Sequence, residues 1–575
     1  MMKKTLQSIL AISFLSIGIS ADAQTRYLDD VFTGVTVTSD VVYANNISIL
    51  PMLSTLPPAA TDLVCDIYEP TGDSIVNRPV IIVAHTGSFL PAVVNGQPTG
   101  TKTDSSIVEQ CMRWAKKGYV AVAFSNRLGW NPTSLDQDVR TSSLIQAAYR
   151  GIQDARAMVR YMRMTEASGN TYGIDPTKIV MGGHGTGAYI SLGVATLDTA
   201  TQMYIPKFMN LATTPPSPYV YAPFFGNVNG TDSAWLPDFA SPTGQTELWN
   251  IPNNPSYSSE VSMAFNLGGA LADISWLEVG DVPIVSFHCE NDPYAPIDTG
   301  DVIVPTTGDF VVEVMGSRTV QHYSNQYLNN DVFVQAGFTD VYTTAANVNN
   351  SGYEGLNVFL TPVPSTAPNA YGESYEEEGS PWDWWDNATY DAMFQAVNGA
   401  PAGYGAANSL LGNPNMSATK GRSYIDTVQG YLNPRIYAAL NLPSTPILGI
   451  YGCTDTAACN YDPSANSDDG SCLTIYGCTD ALACNYVASA TCDDSSCDLP
   501  DGCGDPLYVE YDASVTCSDP NACITLITTG VEEITSDKKL VKITDILGKV
   551  TTPTKNTTLF YIYNDGSVEK KIIIE

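Results

Sequence analysis

Four histidines, a glycine-rich turn and one aspartate-bearing loop hold most of what this chain could use for nucleophilic or acid–base chemistry. The histidines are His85, His184, His288 and His322. His184 lies in Gly182-Gly183-His184-Gly185-Thr186-Gly187-Ala188, directly after the apolar run Lys178-Ile179-Val180-Met181, and Thr186 carries the only hydroxyl on that turn. Asp292 sits in His288-Cys289-Glu290-Asn291-Asp292-Pro293, and His322 follows it 30 residues later. A hydroxyl, an imidazole and a carboxylate brought together make an acyl-transfer site: the imidazole takes the hydroxyl's proton and the carboxylate holds the imidazole. Two other groupings suggest other chemistry. Trp382, Trp384 and Trp385, beside Glu373, Glu376, Glu377 and Glu378, offer aromatic planes for a carbohydrate or aryl-ester ligand, or simply seal a core. Asp462, Ser464, Asn466 and Asp468 place oxygen side chains at alternate positions before Gly470, as calcium favours, although no acidic residue closes the loop; a solvated acidic loop is the alternative.

The elements that must position these residues alternate along residues 27–445. Pro79–Ala84, Tyr119–Phe124, Lys178–Met181, Val282–Phe287 and Leu356–Leu360 are short apolar runs of the kind found in parallel strands buried on both faces. Between them Ser106–Lys117 has helical spacing, with Val108, Cys111, Met112 and Trp114 as its expected buried face, and Ser142–Arg163 reads as a long amphipathic helix. Thr319–Tyr327 reads as a helix carrying His322, and Ser423–Leu442 as a closing helix broken at Pro434. Strand and helix in this order predict an α/β fold with a doubly wound, mostly parallel sheet.

Composition narrows the function classes. The chain has 575 residues, 44% hydrophobic and 15% charged, so it can bury more than one core. A net charge of −33 repels phosphate backbones and excludes nucleic acid as an expected partner. Lys3 and Lys4, the apolar stretch Leu6–Ile19 and Ala21-Asp22-Ala23 predict a signal peptide over 1–23. As a helix that stretch spans about 21 Å, short of the roughly 30 Å hydrocarbon core, so the protein is expected not to be transmembrane. Ten of the 13 cysteines fall between 453 and 523. There Tyr451-Gly452-Cys453-Thr454-Asp455 returns as Tyr476-Gly477-Cys478-Thr479-Asp480 and, more weakly, as Asp501-Gly502-Cys503-Gly504-Asp505. Three 25-residue repeats over 451–525, too short for a core, call for up to five disulfides, whose pairing the sequence leaves open. Zinc is the weaker rival, because the region lacks C-x₂-C pairs and histidines. At the C-terminus Leu540–Ile546, Leu559–Tyr563 and Val568–Glu575 alternate like strands.

Several of these segments resemble known families. Lys542–Lys549 with Phe560–Tyr563 and Lys570–Ile574 resembles the type A sorting domain of the type IX secretion system of Bacteroidetes. That likeness implies a β-sandwich-like module over 526–575, the type IX machinery as a partner, and a secreted or surface-attached product. The repeats resemble stalks of exported Bacteroidetes proteins. Gly118-Tyr119-Val120, Asn126–Gly129, Tyr149–Arg156 and Tyr172–Pro176 resemble secreted carboxylesterases of the α/β-hydrolase fold related to feruloyl and acetyl-xylan esterases, covering residues 60–325 well and 326–445 loosely. The resemblance implies an α/β-hydrolase domain over 24–445 that requires no cofactor. In that fold the nucleophile is the serine of G-x-S-x-G, raised over the sheet by a strained strand-to-helix turn. Here the five positions are Gly183, His184, Gly185, Thr186 and Gly187, so the nucleophile position holds no oxygen. The oxyanion turn, H-G-G-G-F in the family, is here His85-Thr86-Gly87-Ser88-Phe89, completed by the backbone N–H of Thr186. Asp292 matches the acid. The family's base comes from the loop after the last strand, and Thr361–Trp385 contains no histidine. His322 is the one imidazole left for the role and is expected on a helix surface. The sequence therefore predicts degraded triad positions Gly185, Asp292 and His322, and a catalytically inactive protein with a binding or surface role. The alternatives are an active esterase with an unorthodox site, such as Thr186 with His322 and Asp292, or an adhesin-like protein.

Overall fold

The apolar runs form the centre of one eight-stranded sheet. The computed structural model describes residues 25–92, 96–237, 246–304, 307–361, 367–443, 451–453, 455–461, 467–468, 471–527 and 538–574. The expected signal peptide, and Asp462, Ser464 and Asn466 of the expected calcium loop, lie outside the described residues. The chain divides into two units, residues 1–448 and 449–575.

In the larger unit the sheet strands are β1 (Val35–Ser48), β2 (Ala59–Pro70), β3 (Arg78–Ala84), β4 (Val120–Phe124), β5 (Ile174–His184), β6 (Met263–Leu267), β7 (Ile284–Cys289) and β8 (Leu356–Phe359). Their order across the sheet is β1-β2-β4-β3-β5-β6-β7-β8. β2 runs antiparallel to both neighbours and every pair from β4 to β8 is parallel.

All seven residues of β3 are buried because both faces are covered. Val80, Ile82 and Ala84 join the core beneath α2 (Gln137–Ala167) and α3 (Thr186–Thr196). Ile81 and Val83 point the other way, into the core shared with α1 (Ser105–Lys116) and α5 (Ala418–Ala439). Between these last two helices in the chain lies α4 (Ser317–Gln326).

Three helix expectations need correction. The buried face of α1 is Ile107, Cys111, Trp114 and Ala115, with Val108 and Met112 only half-buried at its edge. From this face the Trp114 indole donates to Asn433 Oδ1 of α5 at 2.9 Å. α2 starts five residues earlier than expected, where the Asp136 carboxylate accepts the Asp138 N–H at 2.9 Å and caps the helix. α5 runs through Pro434. The proline removes one donor, to the Gly430 carbonyl, but Tyr431, Leu432 and Ile436 are fully buried around it and Arg435 donates to the Tyr431 carbonyl at 2.8 Å. Tertiary packing holds the helix that propensity alone would break.

In the smaller unit all ten clustered cysteines are paired. Cys453–Cys472, Cys478–Cys497 and Cys503–Cys523 close loops of 19, 19 and 20 residues, and Cys459–Cys492 and Cys484–Cys517 each span 33. The first three lie within repeats and the other two join one repeat to the next. The backbone repeats with the same period: Leu473 N–H donates to Asn460 Oδ1 and Asp498 N–H to Asn485 Oδ1, both at 2.8 Å. The last strands are β9 (Leu540–Thr544), β10 (Thr558–Tyr563) and β11 (Val568–Ile572), a three-stranded antiparallel sheet. Among the described residues no second sheet packs there to complete a sandwich.

Candidate functional site

β5 ends at His184, α3 begins at Thr186, and Gly185 makes the turn between them with φ +52° and ψ −116°. That left-handed conformation strains a side-chain-bearing residue and suits glycine. The flanking glycines answer close approach: a Cβ on Gly183 would lie 2.1 Å from the Gly187 backbone, and one on Gly187 2.2 Å from the Ala84 carbonyl oxygen. The turn thus keeps the shape that raises its central residue above the sheet. The space for a side chain there is filled, because a Cβ on Gly185 would lie 2.2 Å from Thr86 Oγ1. Thr186 N–H opens α3 and, like the first amides of any helix, has no intrahelical acceptor.

The turn after β3, expected to supply an oxyanion hole, is tightly held, with Thr86 and Ser88 half-buried and its other residues buried. His85 is buried, its Nδ1 2.6 Å from the Thr86 carbonyl oxygen, so it donates to backbone; burial pulls its pKa down. Gly87 passes close enough to Gly100 that a Cβ would meet its Cα at 2.7 Å. Ser88 and Phe89 both adopt φ +54°, two strained residues in succession. The Ser88 carbonyl accepts the Trp130 indole N–H at 2.7 Å.

Asp292 follows β7 with its side chain 2% exposed. Its Oδ1 accepts the N–H groups of Tyr294 at 2.8 Å and Ala295 at 3.1 Å. Its Oδ2 lies 3.7 Å from His288 Nε2 and accepts no hydrogen bond among the described residues. His288 is committed elsewhere: Nε2 lies 3.0 Å from the Ala295 carbonyl oxygen and so carries a proton, and Nδ1 lies 2.7 Å from Ser317 Oγ. Burial raises the Asp292 pKa.

The structure does not bring His322 to Asp292. His322 is exposed on α4, with its Nδ1 3.1 Å from Tyr353 Oη and its ring edge-on to Tyr323. Two glycines approach Asp292 instead: a Cβ on Gly379 would lie 2.6 Å from Oδ1, and one on Gly268 3.4 Å from Oδ2. No sequence signal marks Gly379; it is one glycine in a loop, defined only by where it points.

Sequence reasoning also missed a polar network under the turn. Ser106 Oγ donates to Asp383 Oδ1 in a short hydrogen bond and lies 3.5 Å from His184 Nδ1, while Gln110 Nε2 lies 2.9 Å from His184 Nε2. Burial pushes Asp383 up to about 7, with the nearby Asp104 charge adding and Ser106 opposing, and pulls His184 down to about 3. Serine, histidine and aspartate are all present, but the carboxylate holds the serine rather than the imidazole. Ser106 is 1% exposed and does not reach the cavity. The order is wrong for a base-activated nucleophile.

Over the turn lies a cavity of about 180 Å³. Its polar lining includes Thr86, Thr186, Asp292 and Asp383; its apolar lining includes Leu144, Val312 and Val314. The three tryptophans separate. Trp382 is fully buried against Phe359 and edge-on to His184, and Trp384 packs over Gly421 beneath Arg422. Only Trp385 of the three lines the cavity.

No family profile and no curated protein sequence matches the chain. Solved structures similar to it include esterase 2 of the planctomycete Thermogutta terrifontis. The form phosphorylated by paraoxon is 17% identical, covering 46% of this chain and 74% of that one with a TM-score of 0.25. The butyrate-bound form is 16% identical, covering 48% and 78% with a TM-score of 0.26.

Proposed function

We propose that the larger unit is an exported, esterase-lineage α/β-hydrolase scaffold that binds a ligand over its sheet and does not hydrolyse it. The observation that carries this reading is Gly185, a turn shaped to lift a hydroxyl that has none, with Thr86 Oγ1 in the space a side chain would take. Gly379 supports it. A Cβ there would lie 2.6 Å from Asp292 Oδ1, so the loop as folded leaves no room for a side chain, let alone an imidazole, at that point on the acid. Thr86 and Thr186 keep hydroxyls at the cavity, but the described imidazoles of His85, His184 and His288 are occupied with backbone or other side chains and His322 lies elsewhere. The N-terminal leader, the disulfide-stapled repeats as a spacer and the C-terminal sheet as a type IX sorting module complete the proposal. Calcium in the repeats remains a separate proposal, open to titration of the full chain.

The test is an ester panel. Native protein and Gly185→Ser should both fail to turn over p-nitrophenyl acetate and butyrate. The double variant Thr86→Gly/Gly185→Ser, which clears the space and restores the oxygen, should stay inactive as well, because no imidazole is in place to take the hydroxyl's proton. Turnover by the native protein, with a fluorophosphonate adduct on Thr86, Ser88 or Thr186, overturns the reading.

A further inference from the structure

The lining of the cavity has a consistent charge character. Two acidic residues, Asp292 and Asp383, are part of it, and among the described residues no lysine, arginine or histidine is. Such a surface suits neither the carboxylate that ester cleavage releases nor any other anion. Five aromatic side chains share the lining: Phe89, Trp130, Tyr189, Tyr294 and Trp385. The faces of aromatic rings attract cations, most strongly where water is excluded. Asp292 adds a specific anchor, with a side chain 2% exposed whose Oδ2 accepts no hydrogen bond among the described residues. In a working triad an imidazole N–H would satisfy that oxygen. Here Oδ2 lies 3.7 Å from His288 Nε2, whose proton goes to the Ala295 carbonyl, and a buried carboxylate oxygen needs a donor or a positive charge. The volume, about 180 Å³, exceeds the roughly 150 Å³ that admits benzene into an apolar protein cavity. The net charge of −33 also draws small cations towards the molecule.

We infer that this cavity is a site for an organic cation, an amine or quaternary ammonium group on an alkyl or aryl body, with the charge against Asp292 and the aromatic rings and the body against the aliphatic lining. The inference rests on the reading of the site as a binding pocket and names its ligand class. The loss of the base is then what opens the site: the ligand's positive group takes the place an imidazole would hold beside the acid.

Three probes with one chain length separate the possibilities. Hexyltrimethylammonium, hexan-1-ol and hexanoate are titrated into the full-length protein by calorimetry. The cation should bind at least tenfold more tightly than the alcohol, and hexanoate should not bind. Asp292→Asn keeps an oxygen for the Tyr294 and Ala295 amides while removing the charge; it should lose at least tenfold for the cation and leave the alcohol unchanged. Should that variant fail to fold, Trp385→Leu removes one ring of the lining and should weaken the cation selectively. Equal binding of the alcohol, binding of hexanoate, or no binding of the cation overturns the inference. Hydrolysis of p-nitrophenyl butyrate by the same samples would overturn the binding-only reading, and the calorimetry would still decide the charge preference on its own.

Discussion

The sheet of the larger unit and the cysteine repeats of the smaller one use the same residue type for opposite purposes. Cys65, Cys111 and Cys289 are unpaired and fully buried in the sheet unit, where they pack as small apolar side chains; burial raises all three thiols, Cys65 to about 12. The ten cysteines between 453 and 523 are all paired, in a segment whose large hydrophobic residues are mostly exposed, such as Leu482, Leu507 and Val509. Where a chain can bury both faces of a sheet, it needs no cross-links; where it cannot, covalent bonds replace the missing core. The pairing also shows how the array ends. Each inter-repeat bond runs from the second cysteine of one repeat to the third of the next. The first repeat has Ser467 where that third cysteine would stand, and the last has Val509 in place of the second. Each terminal repeat thus lacks the cysteine that would otherwise have no neighbour to join.

Reduction is the sharpest way to break this contrast. The chain-entropy account gives about 3 kcal/mol for each loop of 19 residues and about 4 kcal/mol for each of 33. Losing all five bonds should therefore unfold the repeats outright. Treatment with a reductant that reaches them should make 451–525 rapidly cleavable by protease, while the melting transition of the sheet unit stays where it was. A shift of both transitions together would show that the sheet unit depends on the disulfides as well.

The same physics decides what the sequence revealed. The sheet was legible because β3, β4, β5 and β7 each hold a short apolar run, a pattern that follows from burial on both faces. The recurrence of Tyr-Gly-Cys-Thr-Asp could be read directly, but the cysteine pairing depends on which sulfurs the folded backbone brings together. At the site, the missing oxygen at Gly185 could be read directly. Thr86 filling the vacated space could not, because the two residues are 99 positions apart and meet only through the β3–β5 pairing that ends at Ala84 and Gly183. Asp383 was hidden for another reason. It lies between Trp382 and Trp384 in the chain, yet it points to Ser106 while Trp382 turns into the core.

Asp383 offers a test of intermediate size. Its folded pKa, about 7, is raised above an unfolded value near 3.8, so the native state holds that proton more tightly. The resulting stability is fully present below the unfolded value and is lost as pH rises through about 7, on the order of 4 kcal/mol in all. His184 works in the other direction. Its pKa is lowered to about 3, so its contribution is present above about 6.5 and is lost as pH falls towards 3. Between pH 4 and 6.5 the two oppose each other; above 7 only the Asp383 loss remains. Asp383→Asn keeps an acceptor for Ser106 and removes the ionisation. By urea denaturation it should match the native protein near pH 4 and exceed it by a few kcal/mol at pH 8. A difference that does not change with pH would mean Asp383 carries no displaced proton.

The smallest effect bears on the turn itself. Gly185→Ala introduces two costs: a Cβ at φ +52°, and a contact with Thr86 Oγ1 at 2.2 Å. The first belongs to residue 185 alone and is about 1 kcal/mol. The second belongs to the pair: rotating Thr86 moves Oγ1 aside, but the Thr86 Cβ, 3.1 Å from the new atom, must still give way. Together the two should destabilise the sheet unit by about 2 kcal/mol. In a Thr86→Gly background the shared part vanishes, so the two substitutions should be non-additive by about 1 kcal/mol in urea denaturation. Additivity would mean that Thr86 yields freely. The space above the turn would then be open to a side chain, and Gly185→Ser alone, without Thr86→Gly, would suffice to set a hydroxyl over the sheet.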